Sequence, residues 1–177
     1  MEHLGYIHNI LDVKVLILYV MSLVETPVTA QTIYEFCYQD DSLSYFDVQA
    51  SIPQMVTSGH LEQLDDDRYV ITEKGRSAEE VTWDGIAIAV KERATRTVEQ
   101  YNKEQKRNQF IRYSVEEKEN GEHVVHMGLD DMHGAVMDLA ITAPNRQQAN
   151  RLERAYREKA EQIHQSVMAI LLGKKEN

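Results

Sequence analysis

The chain has 177 residues, 42% of them hydrophobic, enough to bury the core of one domain or of two small ones packed together. Its formal net charge is −10, and its single cysteine excludes an internal disulfide and a cysteine-based zinc site. The longest apolar run, around residues 15–24, is too short to span a membrane, and the N-terminus lacks the positive charge of a signal peptide, so we expect a cytoplasmic protein without a membrane segment.

Two helices are predicted before residue 40. Asn9 is a typical N-cap, and Asp12 stands at the third helical position, so a first helix begins there. Apolar residues cover more than one face of this helix, which predicts a central, nearly buried element. Thr29 caps a short second helix, which ends before a turn at residues 40–42. Cys37 has apolar neighbours on that helix, which favours a buried structural thiol over a redox sensor.

The third helix has the clearest start signal. Ser44 is placed as its N-cap, with Asp47 three residues later as in a capping box, and Gly59 fits the left-handed residue that ends a helix. Pro53 interrupts the pattern, because a proline in a helix interior removes one hydrogen bond and costs on the order of 3 kcal/mol. We therefore expect a kink or a restart of the helix at this proline.

A β-hairpin and a long helix follow. Residues 61–64 and 68–72 are predicted to be strands joined across Asp65–Asp67, and Thr72 caps the next helix. A long helix is predicted from Trp83 to about Gln109, since its apolar residues recur four apart. Its polar face is basic and carries Lys91, Arg93, Arg96, Lys103, Lys106 and Arg107.

Beyond the long helix the hydrophobic pattern changes from helical to alternating. Three strands are predicted over residues 110–115, 123–129 and 135–141, and their short turns favour an antiparallel meander. Asn145 with Gln148 predicts the start of a last helix. One apolar stripe runs along that helix: Ala149, Leu152, Tyr156, Ala160, Ile163, Val167 and Ile170. The stripe covers the sheet or pairs in part with a second copy of the chain, and these two hypotheses are compatible.

Two sequence motifs flank the predicted hairpin, Ser58-Gly59-His60-Leu61 at its entry and Ile71-Thr72-Glu73-Lys74-Gly75 at its exit. In this order they resemble the winged-helix transcriptional regulators of bacteria, including the PadR-like and MarR-like groups. The whole layout looks like a small uncharacterised family of bacterial regulators rather than like either group. The resemblance implies an α+β protein: a winged helix-turn-helix over residues 1–81, then an αβββα domain over residues 82–177 with a three-stranded antiparallel sheet, which dimerises or senses a ligand.

The resemblance also implies a DNA-binding transcriptional regulator that acts as a homodimer. The third helix would enter the major groove and the wing would approach the backbone. Carried over by position, the DNA-binding residues are Ser44, Tyr45, Gln49 and Gln54 on the helix, with Arg68, Lys74 and Arg76 near the wing. Serine and glutamine can hydrogen-bond base edges, and the three cations could pair with phosphates.

The charge distribution opposes this function. Residues 1–81 carry four basic and fourteen acidic side chains, a net charge of −10, whereas from residue 82 onward fifteen of each sign balance. Affinity for duplex DNA grows with the number of phosphates neutralised, so weak, salt-sensitive binding is expected from this domain alone. The basic face of the long helix or a second half-site in a dimer could restore DNA binding. That basic face could instead pair with the acidic first domain as a solvated salt-bridge surface. The alternative function is an acidic winged helix that recognises another protein and does not bind DNA, its acidic face mimicking or avoiding nucleic acid.

Enzymatic and metal-binding patterns are lacking from the sequence. It has no Gly-rich phosphate loop, no HExxH and no nucleophile elbow, so we expect no enzyme and no cofactor. His123 and His126 stand three apart on a predicted strand and should point to opposite faces, which argues against a metal site. A small-molecule effector could bind the C-terminal domain, where Met127, Met132 and Met137 cluster, although methionine is more often core filler.

Overall fold

The computed structural model describes residues 9–38 and 43–173. Over these residues the chain is an α+β protein with six α-helices and two three-stranded antiparallel sheets. It divides into two compact units, Met1–Glu104 and Gln105–Asn177. The first unit has eight basic and eighteen acidic side chains in its sequence and so carries the whole net charge of −10.

The first unit combines a helical core with a small sheet. Its elements are α1 (Ile10–Leu23), β1 (Val28–Thr29), α2 (Ala30–Cys37), α3 (Tyr45–Thr57), β2 (Leu61–Gln63), β3 (Arg68–Ile71), α4 (Glu73–Thr82), a 3-10 turn (Trp83–Gly85) and most of α5 (Ile88–Asn108). β3 is the central strand, with β1 on one side and β2 on the other. Tyr69 of β3 pairs with Val28 of β1 and with Gln63 of β2. The hairpin was expected from the sequence, and β1 was not.

Local signals predicted correctly where most helices begin. The Asn9 side chain accepts hydrogen bonds from the backbone N–H groups of Leu11 and Asp12, and the Asp12 carboxylate accepts one in return, forming a capping box. Thr29 caps α2 and Thr72 caps α4 through their hydroxyl oxygens. The predicted turn at residues 40–42 lies outside the described residues.

α3 departs from the prediction at its start and in its interior. Ser44 occupies the N-cap position, but its side chain makes no cap hydrogen bond, so the expected capping box does not form. The helix runs as one element from Tyr45 to Thr57 through Pro53, so of the two outcomes expected there, a kink or a restart, the restart does not occur. Buried residues on both sides of the proline, including Val48 and Met55, hold the two halves against one core, which offsets the lost hydrogen bond.

α1 is the centre of the first unit, as its apolar pattern predicted, and Leu16, Ile17 and Val20 have no exposed surface. Cys37 lies in the same core, and burial raises the pKa of its thiol. Ala94 and Val98 of α5 pack there too. The sequence placed a domain boundary between residues 81 and 82, whereas the compact unit extends to Glu104, because the first part of α5 completes this core.

The second unit is a sheet with one covered face. It contains β4 (Ile111–Glu117), β5 (His123–Asp131), β6 (Gly134–Ala143) and α6 (Arg146–Leu171), and the strands form the predicted antiparallel meander with β5 in the middle. The Asn145 side chain caps α6 by accepting from the N–H of Gln148 at 2.9 Å. Tyr156 and Ala160 of α6 pack on Val125 and Met127 of β5. Backbone angles depart from helical values at one point in α6, Lys159.

Candidate recognition surface

α3 buries one face and exposes the opposite one. The exposed residues are Tyr45, Phe46, Asp47, Ala50, Pro53, Gln54 and Thr57. Of the four residues that the resemblance assigned to base reading, Tyr45 and Gln54 lie on this exposed face. Ser44 and Gln49 are half-buried, and the Gln49 amide donates a 3.3 Å hydrogen bond to the backbone carbonyl of Ala30 at the start of α2. Gln49 therefore helps to fix α3 against α2.

The predicted wing cation Arg68 pairs with a carboxylate of its own hairpin. Its Nε donates to Oδ2 of Asp66 at 2.6 Å, and Arg68 lowers the pKa of that carboxyl below its ordinary value, mainly through this hydrogen bond. Asp67, beside it, has a left-handed backbone with φ 58° and accepts a hydrogen bond from the Gln63 amide. The tip of the hairpin thus presents a neutralised arginine among three aspartates.

The other two predicted cations, Lys74 and Arg76, belong to α4, and their side chains contact the C-terminal ends of two other helices. Lys74 Nζ donates to the carbonyl of Ser58 at the end of α3, at 2.6 Å, and Arg76 Nη1 donates to the carbonyl of Ser22 in the last turn of α1, at 3.4 Å. Terminal helix carbonyls lack intrahelical partners and carry the negative end of the helix dipole, so a cation there is stabilising. An ammonium group has three donors, which leaves Lys74 able to bind a further acceptor.

Lysine and arginine are missing from a long part of the first unit. Between Val15 and Asp67 the sequence contains nine acidic residues and no lysine or arginine. This range includes α2, α3 and the tip of the hairpin. The exposed faces of α2 and α3 therefore contribute negative charge and no permanent positive charge, and at the tip of the hairpin the only cation is Arg68, which is paired with Asp66.

Four aromatic side chains, Tyr34, Tyr38, Tyr45 and Phe46, form a continuous group across α2 and α3, called here the aromatic patch. Ring centroids are 5.8 Å apart for Tyr34 and Tyr38, 5.0 Å for Tyr34 and Tyr45, and 5.9 Å for Tyr45 and Phe46. Phe46 is 79% exposed, Tyr38 45% and Tyr45 42%. The sequence singled out only Tyr45, because the packing of α2 on α3 that brings the others together is not a local property.

A small basic group lies at the opposite end of α3. His60 Nδ1 is 2.8 Å from the Ser58 hydroxyl, and its pKa is lowered by partial burial first and then by the charges of Lys74 and Lys14. Both lysines therefore act on the same imidazole. This group lies where the first motif of the resemblance, Ser58 to Leu61, leads from α3 into β2.

The predicted basic face of α5 is divided between several intramolecular contacts. Lys91 Nζ lies 4.0 Å from the centre of the Trp83 ring in a cation–π contact, and Arg96 Nε donates to the carbonyl of Glu92. Arg107 belongs to the second unit, where it makes a bidentate pair with Glu161 at 2.6 and 2.7 Å. The pair lowers the pKa of the Glu161 carboxyl.

In the second unit the open face of the sheet forms a groove of about 420 Å³, lined by Arg112, Ser114, His126, Gly128 and Asp138 among others. His126 is exposed on this face and His123 is buried, which confirms their predicted opposite orientation.

The predicted cluster of three methionines, Met127, Met132 and Met137, does not form. Met127 and Met137 are buried in the core with α6, whereas Met132 is 88% exposed in the turn between β5 and β6.

The described residues include neither a metal-binding cluster nor a membrane-spanning helix. They contain no group of three or more histidine, cysteine, aspartate or glutamate side chains placed to hold a metal ion. Within residues 9–38 and 43–173, no helix is both long enough and apolar enough to cross a membrane.

Comparison with known proteins places the chain in a family without an assigned activity. The model of the family described as a domain of unknown function (DUF4364) matches residues 13–171, and the chain belongs to this family. No curated protein and no solved structure matches it.

Proposed function

We propose that the first unit is a winged helix-turn-helix in which α2 and α3 form the helix-turn-helix and β2–β3 form the wing. The order of elements supports this, since a short strand follows the first helix and pairs with the second strand of the hairpin. The two motifs that resemble winged-helix regulators fall at the entry and exit of this hairpin. Topology and sequence therefore favour the same fold.

We infer that this winged helix recognises a protein rather than duplex DNA. The observation that carries the inference is the lack of any lysine or arginine between Val15 and Asp67. In a DNA-binding winged helix, these elements would approach the phosphate backbone. Each phosphate neutralised contributes about 0.9 to the slope of log affinity against log salt, and this term supplies nearly all non-specific affinity. An anionic surface gains no affinity from counterion release, and it repels the phosphates of the duplex.

The test is a titration of the full chain with a mixed-sequence duplex library at low and at physiological salt. A protein-recognition unit leaves the library unbound at both salt concentrations, with circular dichroism confirming that the chain is folded. Sequence-selective binding that weakens with salt would overturn the proposal.

A DNA-binding regulator is the second candidate, and the position of Lys74 at the end of α3, where its Nζ donates to the carbonyl of Ser58, favours it. Lys74 has donors left for a phosphate, and in a dimer two such groups would act on one duplex. On this alternative, Lys74→Ala and Arg76→Ala would each weaken duplex binding at every sequence, and Gln54→Ala would relax the sequence preference.

We propose that α6 also joins two copies of the chain. Residues 146–161 carry eight charged side chains, whereas residues 162–172 carry none. In that uncharged stretch the apolar stripe continues beyond Ala160, yet Ile170 is 79% and Leu171 74% exposed. Depletion of charge with exposed apolar residues is typical of the centre of a protein interface, and an uncharged segment can pair with its own copy without repulsion.

Light scattering tests the homodimer. Ile170→Glu should shift the molar mass to that of a monomer, whereas Met132→Glu, which adds the same charge at an exposed methionine of the same unit, should leave the dimer intact. A monomeric wild-type chain would contradict the proposal. The cytoplasmic location, the small-molecule effector and the lack of enzymatic activity stay predictions.

A further inference from the structure

We propose that the aromatic patch is the docking site for an arginine-rich segment of a partner protein. The proposal rests on the proposed function, that the winged helix recognises a protein, and it names the chemistry of the partner. Two properties of the surface carry it: exposed rings that touch one another, and exposed carboxylates on the same two helices, which contain no lysine or arginine.

The rings form a platform rather than isolated side chains. Tyr34 contacts both Tyr38 and Tyr45, and its ring stands nearly perpendicular to that of Tyr45, at 84°. Phe46 extends the platform in the first turn of α3 and exposes more of its surface than the other three. An exposed phenylalanine beside two exposed tyrosines is typical of a surface that a partner covers.

The charge around the platform selects the partner. Glu35 follows Tyr34 directly in the sequence of α2, and Asp47 follows Phe46 directly in that of α3; both acidic residues are exposed. α2 and α3 contain no lysine or arginine. Nucleic acids, anionic peptides and a second copy of the same patch are repelled by this surface, while a cationic chain is attracted.

Arginine fits the platform better than lysine. Its planar guanidinium stacks on aromatic faces and binds a carboxylate with two parallel hydrogen bonds, whereas an ammonium is a compact, strongly hydrated charge. A neutral apolar helix would gain from the rings but not from Glu35 and Asp47.

The experiment measures binding of three labelled peptides to the full chain by fluorescence anisotropy. The peptides have arginine, lysine or glutamine at the same positions, separated by neutral residues. The arginine peptide should bind about fivefold more tightly than the lysine peptide, and the glutamine peptide should not bind. Phe46→Ala should weaken arginine-peptide binding about tenfold, with Leu11→Ala, at another exposed apolar residue of the first unit, as its control.

A matched pair of charge variants separates a site from general attraction. Asp47→Asn removes a charge next to Phe46 in the sequence of α3, and Asp65→Asn removes one at the tip of the hairpin. Only the first should weaken binding of the arginine peptide. Equal losses in the two variants, equal affinity for arginine and lysine, or tighter binding of the glutamine peptide would each overturn the proposal. If no peptide binds and the duplex library also stays unbound, this inference fails while the proposed function stands; duplex binding makes the proposed function itself fail.

Discussion

The guanidinium of Arg112 lies against the α-carbon of Gly128 on the neighbouring strand, in a position that only glycine leaves open. A Cβ added at Gly128 would be 2.6 Å from Arg112 Cζ. Arg112 thereby crosses β5 to reach Asp138 of β6 at 2.9 Å, while its Nε donates to Asp130 at 2.7 Å. One side chain thus links all three strands of the second unit on the open face of the sheet.

Gly128→Ala should displace this guanidinium and break its contact with Asp138. Because the pairs are exposed, the free energy of unfolding should fall only slightly, as measured by urea denaturation. In an Arg112→Ala background the same substitution should be neutral or stabilising, since alanine is preferred to glycine in a strand. A loss of equal size in both backgrounds would show that Arg112 is not the cause.

Gly75→Ala should destabilise the first unit much more. A Cβ there would clash with the backbone carbonyl of His60 and lie 2.7 Å from Cγ1 of Ile71, and neither α4 nor the hairpin can yield as a flexible side chain can. We expect the free energy of unfolding to fall by about 3 kcal/mol. Gly85→Ala is the matched control, because nothing lies within 4 Å of a Cβ at Gly85. Similar thermal midpoints for Gly75→Ala and Gly85→Ala would refute the close approach of Gly75 to His60 and Ile71.

Asn102→Asp should loosen α5 from α1. The Asn102 amide donates to the carbonyl of Leu23 at 2.9 Å, and its oxygen accepts from the N–H of Glu25 at 3.2 Å. A carboxylate would face the Leu23 carbonyl without a proton to share, at a cost of about 2 kcal/mol in unfolding free energy. Asn150→Asp, on the exposed side of α6, should cost little, and an equally tolerant Asn102→Asp would contradict the role assigned to this amide.

The pKa of His60 should depend on the charges of Lys74 and Lys14. The pKa of His60 is lower in the folded chain than in the unfolded chain. When the pH falls below the ordinary pKa of histidine, the unfolded chain therefore takes up the proton first, and the free energy of unfolding decreases. Lys74→Gln should raise the pKa of His60 but restore it only in part, because burial is the larger cause. NMR titration would measure this, with Lys103→Gln as a charge-matched control. An unchanged pKa of His60 in the Lys74→Gln variant would show that the charge of Lys74 does not act on this imidazole.

Local signals predicted much of this fold. The caps at Asn9, Thr29 and Asn145 depend on a few neighbouring residues, and alternating hydrophobicity was enough to find β4, β5 and β6. β1 was missed because two residues, Val28 and Thr29, show no periodicity and become a strand only by pairing with β3. The packing of α5 on the core of the first unit could not be read from its sequence for a similar reason, since it depends on residues far away in the chain.

The candidate site was predictable in its charge and not in its contacts. The acidic excess can be read from the sequence, but the partners of Lys74 and Arg76 are carbonyls 16 and 54 residues away in the chain. Side chains that resemble wing cations thus contact helix ends. The aromatic patch needed the packing of Tyr34 against Tyr45, which no spacing along the chain reveals.

Adding cations to the exposed face of α3 tests most directly whether charge keeps this surface from DNA. The full chain and a variant with Ala50→Lys, Gln54→Lys and Thr57→Lys are each titrated with one mixed-sequence duplex over a range of salt concentrations. We expect no binding by the wild type, and binding by the variant with a slope of log affinity against log salt of about −2.7, or 0.9 for each added cation. Tight, sequence-selective duplex binding by the wild-type chain would contradict a protein-recognition surface.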